Sequence, residues 1–137
     1  KREGRERETG QRVAADAAAY WRDAAVPPLL SSFSFDALQQ ARATAPALPR
    51  GMLYEAVPDD WHAQVVGALG CVSLHADHKQ LDEPLVRAIK AAGLRILVYT
   101  VNDLERAREL ARWGVDAVCT DRIDLIASTA LDDIDIA

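Results

Sequence analysis

The stretch Leu94-Arg95-Ile96-Leu97-Val98-Tyr99-Thr100-Val101 decides the fold. It is nearly continuous in apolar and β-branched residues, a pattern of strands buried on both faces, as in parallel sheets. A helix is predicted on each side of it. Upstream, Asp82 can cap, Pro84 suits a first turn, and Leu85, Ile89 and Ala92 repeat along one face before Gly93. Downstream, Asn102 and Glu105 have capping-box spacing for a helix bearing Leu104, Ala107, Leu110 and Ala111, which Gly114 stops.

The same alternation runs outward to both ends. Going upstream, Cys71-Val72-Ser73-Leu74-His75 reads as a short strand, preceded by a short helix with Trp61, Val65 and Ala68. Residues 51–56 form a further strand, with Glu55 near its end. Leu29-Leu30-Ser31-Ser32-Phe33 forms another, and Ser34 caps a helix carrying Phe35, Leu38 and Ala41. Val13, Ala14, Ala17, Ala18 and Trp21 place a first amphipathic helix over 9–21. Toward the other end, residues 115–120 make the last strand, and Leu125, Ile126 and Thr129 begin a closing helix. Trp21, Trp61 and Trp113 fall at core-facing helix positions. Strands and helices alternating over short loops imply right-handed βαβ units and a parallel sheet. Such an α/β chain fits an open doubly wound sheet or a segment of a (β/α)8 barrel. A whole barrel takes about 250 residues, and these 137 residues are near half of one.

Composition narrows the partners. The net charge is −5, so no global positive field favours nucleic acid or an anionic membrane surface. The basic residues Lys1, Arg2, Arg5 and Arg7 are interleaved with Glu3, Glu6 and Glu8, as on a solvated helix start. No apolar run is long enough to span a bilayer, and a cytoplasmic location is the expectation. Cys71 and Cys119 lie in apolar runs and read as buried free thiols. The first residue is Lys1 rather than methionine, which reads as a piece of a longer protein.

Functional groups are expected at the carboxyl ends of the strands, where barrel proteins collect them. His75 is predicted there, and with Asp77 and His78 it offers imidazole and carboxylate groups of the kind that bind zinc. Glu55 and Phe33 end two other strands. Asn102 reads as a helix N-cap, and Thr120 and Asp121 as groups that fix the loop after the last strand.

Three motifs go beyond pattern. Leu97-Val98-Tyr99-Thr100-Val101-Asn102 is similar to the aromatic-Thr-Val-Asn strand of glycerophosphodiester phosphodiesterases. Gly114-Val115-Asp116-Ala117-Val118-Cys119-Thr120-Asp121 resembles that family's Gly-Val-Asp-X-X-X-Thr-Asp closing strand. Leu29-Leu30-Ser31-Ser32-Phe33-Ser34 matches its apolar-Ser-Ser-Phe strand, and the order of the three agrees. The resemblance implies the C-terminal half of a TIM barrel, in an enzyme that hydrolyses glycerophosphodiesters to sn-glycerol 3-phosphate and an alcohol. It implies a divalent metal ion, Mg or Ca, whose ligands lie mostly outside this chain. The family's His-Arg-Gly, His-Asp and Glu-X-Asp motifs have no matching stretch here, so this chain alone is expected to be inactive. Lys1 matches the lysine of a Glu-X-Lys motif that contacts phosphate. Tyr99 stands where the family pattern often has tryptophan, and would wall the glycerol or alcohol site. Substrate contacts are thus expected at Lys1, Phe33, His75 and Tyr99.

Two other readings remain open from the residues: a non-catalytic half-barrel that binds a ligand or partner, and a different α/β enzyme with a metal at His75, Asp77 and His78. A half-barrel leaves edge strands unpaired, so the expected partner is the missing N-terminal half or a second copy of the chain.

Overall fold

In the computed structural model, residues 3–131 and 134 are described. Lys1 lies outside them, as does most of the acidic tail. The chain divides into two units, one formed by the stretch up to Leu53 with Asp59–Val72, the other by Tyr54–Pro58 with the stretch from Ser73 onward.

In the first unit, helix α1 spans Glu6–Tyr20, strand β1 Leu30–Ser32 and helix α2 Phe35–Thr44; strand β2, Arg50–Tyr54, belongs to it up to Leu53, and its last residue falls in the second unit. The α1 sequence is rich in alanine, carries Glu6 and Glu8 in its first turn, and pairs Arg12 with Asp16 at 2.9 Å, one turn apart. Ser34 caps α2 as predicted, its Oγ accepting from Ala37 N at 3.2 Å. The two helices meet through small side chains: Ala14, Ala17, Ala41, Ala45 and Leu48 form the core. That approach is close enough that a β-carbon on Gly10 would lie 2.1 Å from the Ala37 carbonyl oxygen. Trp21, predicted to pack inward, is 49 % exposed. The helix ends at Tyr20, so Trp21 no longer follows the helical stripe that Ala14 and Ala17 bury.

β1 and β2 pair in parallel, Leu30 opposite Arg50 and Ser32 opposite Met52. Arg50 is buried and, among the described residues, pairs with no carboxylate. Its guanidinium donates to the carbonyls of Leu69 (3.1 Å), Pro46 (3.2 Å), Leu48 (2.6 Å) and Gly70 (3.2 Å). Arg42 donates to the carbonyls of Gly67 and Ala68. Together the two arginines serve carbonyls at the end of a short π-type helix, Ala63–Ala68, where unpaired acceptors accumulate. Burial pushes the neighbouring Cys71 thiol up to about 11 despite these cations, so it is a protonated, inert core group as expected. Cys119, by contrast, is exposed.

In the second unit, strand β3 (Ser73–Asp77), helix α3 (Glu83–Ala91), strand β4 (Arg95–Tyr99), helix α4 (Leu104–Trp113) and strand β5 (Ala117–Val118) follow one another. β4 pairs in parallel with both β3 and β5. Asp82 caps α3 through Leu85 N (2.9 Å), as predicted. The cap of α4 is Asp103, not Asn102: its Oδ1 accepts from Arg106 N at 2.7 Å. Both residue types cap well, and the helix starts one residue later than the capping-box reading implied. Gly114 ends α4 with a φ of 106°, the left-handed conformation that glycine supplies at helix ends. The closing helix predicted from Leu125 is instead a series of turns among the described residues, with Ile126 N bonded to Arg122 O at 2.9 Å.

Side chains alternate across a strand, and here the alternation separates two chemistries. Leu74 and Ala76 of β3 and Ile96 and Val98 of β4 are all 0 % exposed, as are Val86 and Ile89 of α3 and Leu110 of α4. Each such fully buried large side chain contributes about 1.5–3 kcal/mol. At the amino ends of the strands, Asp116 accepts from Lys90 Nζ (2.7 and 2.6 Å), Arg95 (2.7 Å) and the Ile96 amide (2.8 Å). Burial works against its charge, yet these donors outweigh it and hold the carboxyl below its ordinary range.

Gly10→Ala should destabilise the protein by about 1–3 kcal/mol through overpacking, since the new methyl group meets backbone rather than a movable side chain. Urea denaturation measures this; a variant as stable as the parent would contradict the close approach of α1 and α2.

Candidate functional site

The face of β3 opposite Leu74 and Ala76 carries Ser73, His75 and Asp77. The parallel register sets His75 beside Leu97 and Asp77 beside Tyr99. Polar groups therefore line one face of the second unit's sheet and run toward its carboxyl end.

His75 is not at a strand end. β3 starts two residues later than predicted and continues to Asp77, so His75 is its midpoint, 4 % exposed. Gly70 turns the chain with a positive φ of 56°, and Val72 is exposed, which leaves Cys71 and Val72 outside the strand. His75 Nε2 and Ser73 Oγ share a hydrogen bond at 2.8 Å. Burial disfavours the imidazolium and pushes the histidine below its ordinary range, so His75 is neutral near pH 7.

Asp77 takes the terminal position of β3, and its carboxylate accepts from Lys79 N at 3.0 Å. Tyr99 is at the end of β4, as predicted, and its hydroxyl donates to Tyr54 O at 2.7 Å. Burial, and then the negative charges of Asp77 and Glu55, push the phenol up, so it stays protonated. Glu55 lies just past the end of β2 and is exposed. Two carboxylates thus act electrostatically on the Tyr99 hydroxyl. Among the described residues, no three His, Cys, Asp or Glu side chains gather as a metal-ligand set; the trio of His75, Asp77 and His78 does not form one, and His75, on the face it shares with Asp77, is buried and bonded to Ser73.

Asn102 has a different task from capping. Its Oδ1 accepts from Thr120 Oγ1 (3.0 Å) and from the Asp121 amide (2.9 Å), and Thr120 Oγ1 accepts from Arg122 N at 3.0 Å. These bonds tie the loop after β4 to the loop after β5, in line with the loop-fixing role read for Thr120 and Asp121. Asn102 and Thr120-Asp121 end two of the quoted motifs, but which partner each would choose depends on strand adjacency. In the first unit, Phe33 follows β1 directly and is 40 % exposed. It lines a cavity of about 740 Å³ with Thr9, Ser32, Ser34 and Phe35. Lys1, the fourth expected contact, lies outside the described residues.

These features define an α/β protein of parallel (β/α) units with polar and aromatic groups at the carboxyl ends of its strands. Residues 3–125 match the model of the Glycerophosphoryl diester phosphodiesterase family. The chain belongs to that family. It is 32 % identical over 102 residues to a glycerophosphodiester phosphodiesterase of Bacillus subtilis, covering 71 % of this chain and 34 % of that protein. A second, from Caldanaerobacter subterraneus, is 29 % identical over 94 residues, covering 68 % of this chain and 38 % of the relative. Among solved structures, an Oleispira antarctica phosphodiesterase in complex with the product sn-glycerol-3-phosphate superposes with a TM-score of 0.81 at 34 % identity, over 96 % of this chain and 52 % of that one. A glycerophosphodiester phosphodiesterase of Thermotoga maritima gives 0.61 at 26 % identity, over 83 % and 52 %. The chain thus spans about half the length of these solved relatives and a little over a third of the curated ones. Its (β/α) units are those of the C-terminal half of a TIM barrel. Among the described residues, no helix is long and apolar enough to cross a membrane.

The depressed His75 predicts a pH effect. Its folded form binds a proton more weakly than its unfolded form, so above about pH 6.5 both are neutral and nothing is lost. As pH falls below that value the unfolded chain protonates first, and stability declines. His75→Asn should flatten this decline between pH 7 and 5 in denaturation measurements. An NMR midpoint for His75 at or above the ordinary histidine value would contradict it.

Proposed function

We propose that this chain is the C-terminal part of a metal-dependent phosphodiesterase that hydrolyses glycerophosphodiesters to sn-glycerol 3-phosphate and an alcohol. The observation that carries the proposal is the family match over residues 3–125, joined to polar and aromatic groups at strand ends. The product named for the Oleispira antarctica relative supports the same ligand class here.

Hydrolysis of a phosphodiester needs neutralisation of the phosphoryl charge, an aligned nucleophile and a proton for the leaving alkoxide. A divalent ion, Mg or Ca, belongs to the proposal for the whole enzyme and would supply the neutralising charge. The ion's ligands are proposed to lie mostly outside this chain, and the part proposed for the described residues is binding and orientation. Tyr99 offers a ring against which the glycerol or alcohol moiety packs, and Phe33, in the first unit, is proposed separately as a substrate contact. Asp77 and Glu55, negative at the strand ends, suit hydroxyl groups as hydrogen-bond acceptors and discourage a second phosphate. His75, neutral and tied to Ser73, holds the floor beneath Asp77 rather than exchanging protons with substrate. Lys1 is proposed as a phosphate contact.

The test is release of sn-glycerol 3-phosphate from glycerophosphocholine or glycerophosphoethanolamine. The chain alone should release none. Fused behind the N-terminal half of the Oleispira antarctica phosphodiesterase, it should restore release that a chelator abolishes. Turnover by the chain alone, or a folded hybrid that binds sn-glycerol 3-phosphate without turnover, would contradict the proposed division of labour.

A further inference from the structure

The loop after β3 is held by a side chain from another element. Arg106, in the first turn of α4, is only 22 % exposed. Its Nη2 donates to His78 O (2.6 Å) and Leu81 O (3.2 Å), the carbonyls that bracket a short 3-10 turn, His78–Gln80. Its Nη1 pairs with Glu109 at 2.6 Å, and the guanidinium carbon stands 4.7 Å above the Trp113 ring. Asp77 holds the same turn from the strand side through Lys79 N. Loop, charge partner and ring together leave the guanidinium one orientation.

That orientation acts on one further atom. Arg106 Nε points at His78 Nδ1, 3.5 Å away, at the long end of hydrogen-bonding distance. Arginine keeps its Nε proton at any ordinary pH, so the imidazole nitrogen facing it is the unprotonated one. A neutral His78 then carries its proton on Nε2. Burial opposes a second proton on the ring; Arg106 and Lys79 oppose it too, while Asp77 favours it, and the result lies below the ordinary histidine range. Nε2 is on the ring edge away from the guanidinium. His78 directly follows Asp77, which is paired with Tyr99 at the carboxyl ends of β3 and β4. A brace on the loop would need only the two carbonyl bonds; the contact with Nδ1 also selects a tautomer.

We infer that Arg106 is a positioning residue that holds His78 as an Nε2–H donor to an oxygen of the diester or of its phosphate product. The inference rests on the ligand class of the proposed function. Glu109 faces the guanidinium rather than the imidazole, and so affects His78 only through Arg106.

The experiment uses long-range 1H–15N spectra of the chain at pH 8, with sn-glycerol 3-phosphate titrated in. His78 should show the Nε2–H tautomer. Arg106→Gln should turn it into a mixture, and Arg106→Lys should retain part of the preference. His78→Ala should weaken binding about tenfold, while His78→Gln, whose amide reaches toward the Nε2 position, should recover most of it. An Nδ1–H tautomer in the parent chain, or a tautomer unmoved in Arg106→Gln, would overturn the positioning role. Equal binding by the parent and His78→Ala would overturn the donor role alone. No binding by the parent chain, with the tautomer responding as expected, removes the donor role together with the ligand class of the proposed function.

Discussion

The parallel pairing of β3 with β4 is the constraint from which the second unit takes its chemistry. Because side chains alternate, one register decides two things at once. It sends Leu74, Ala76, Ile96 and Val98 into complete burial, and it sends Ser73, His75, Asp77 and Tyr99 to the other face. A slip of one residue would expose the apolar row and bury Asp77. The hydrophobic gain and the polar placement are therefore one event, and neither can be altered without the other.

The polar groups then divide by position along the strands. At the amino ends, Asp116 gathers Lys90, Arg95 and the Ile96 amide, and in the first unit Arg50 is consumed by backbone carbonyls. Each is fully engaged with protein and contributes stability. At the carboxyl ends, Asn102 joins two loops through Thr120 and Asp121, and Arg106 fastens the turn after Asp77. These residues use their hydrogen bonds to fix loops next to the strand ends at Asp77 and Tyr99, and the turn held by Arg106 carries His78. This is the division barrel proteins make between a stabilising and a functional end.

How much of this was legible depended on the range of the interaction. β4 was readable because Ile96, Leu97, Val98 and Tyr99 write a nearly unbroken apolar run, although only Ile96 and Val98 are fully buried rather than both faces as the pattern implied. The start of α3 was readable because Asp82 and Pro84 act within a turn. The family motifs at Tyr99, Asn102, Asp116 and Thr120 carried the identity of the barrel. Long-range choices were not readable. Asn102 and Asp103 cap equally well on paper, and only the nearness of Thr120 and Asp121 draws Asn102 away. His75 was placed at a strand end because Cys71 and Val72 look strand-like, whereas pairing with β4 carries β3 on to Asp77. Arg50 and Arg106 gave no signal, since an arginine bound to distant carbonyls looks in sequence like any surface arginine.

The central claim is the register, and nuclear Overhauser contacts between the backbones of β3 and β4 measure it directly. The account requires cross-strand contacts that pair His75 with Leu97 and Asp77 with Tyr99. Contacts pairing Ala76 with Tyr99 instead would place the polar row on the helix-covered face, and the site with its assigned ligand would be lost.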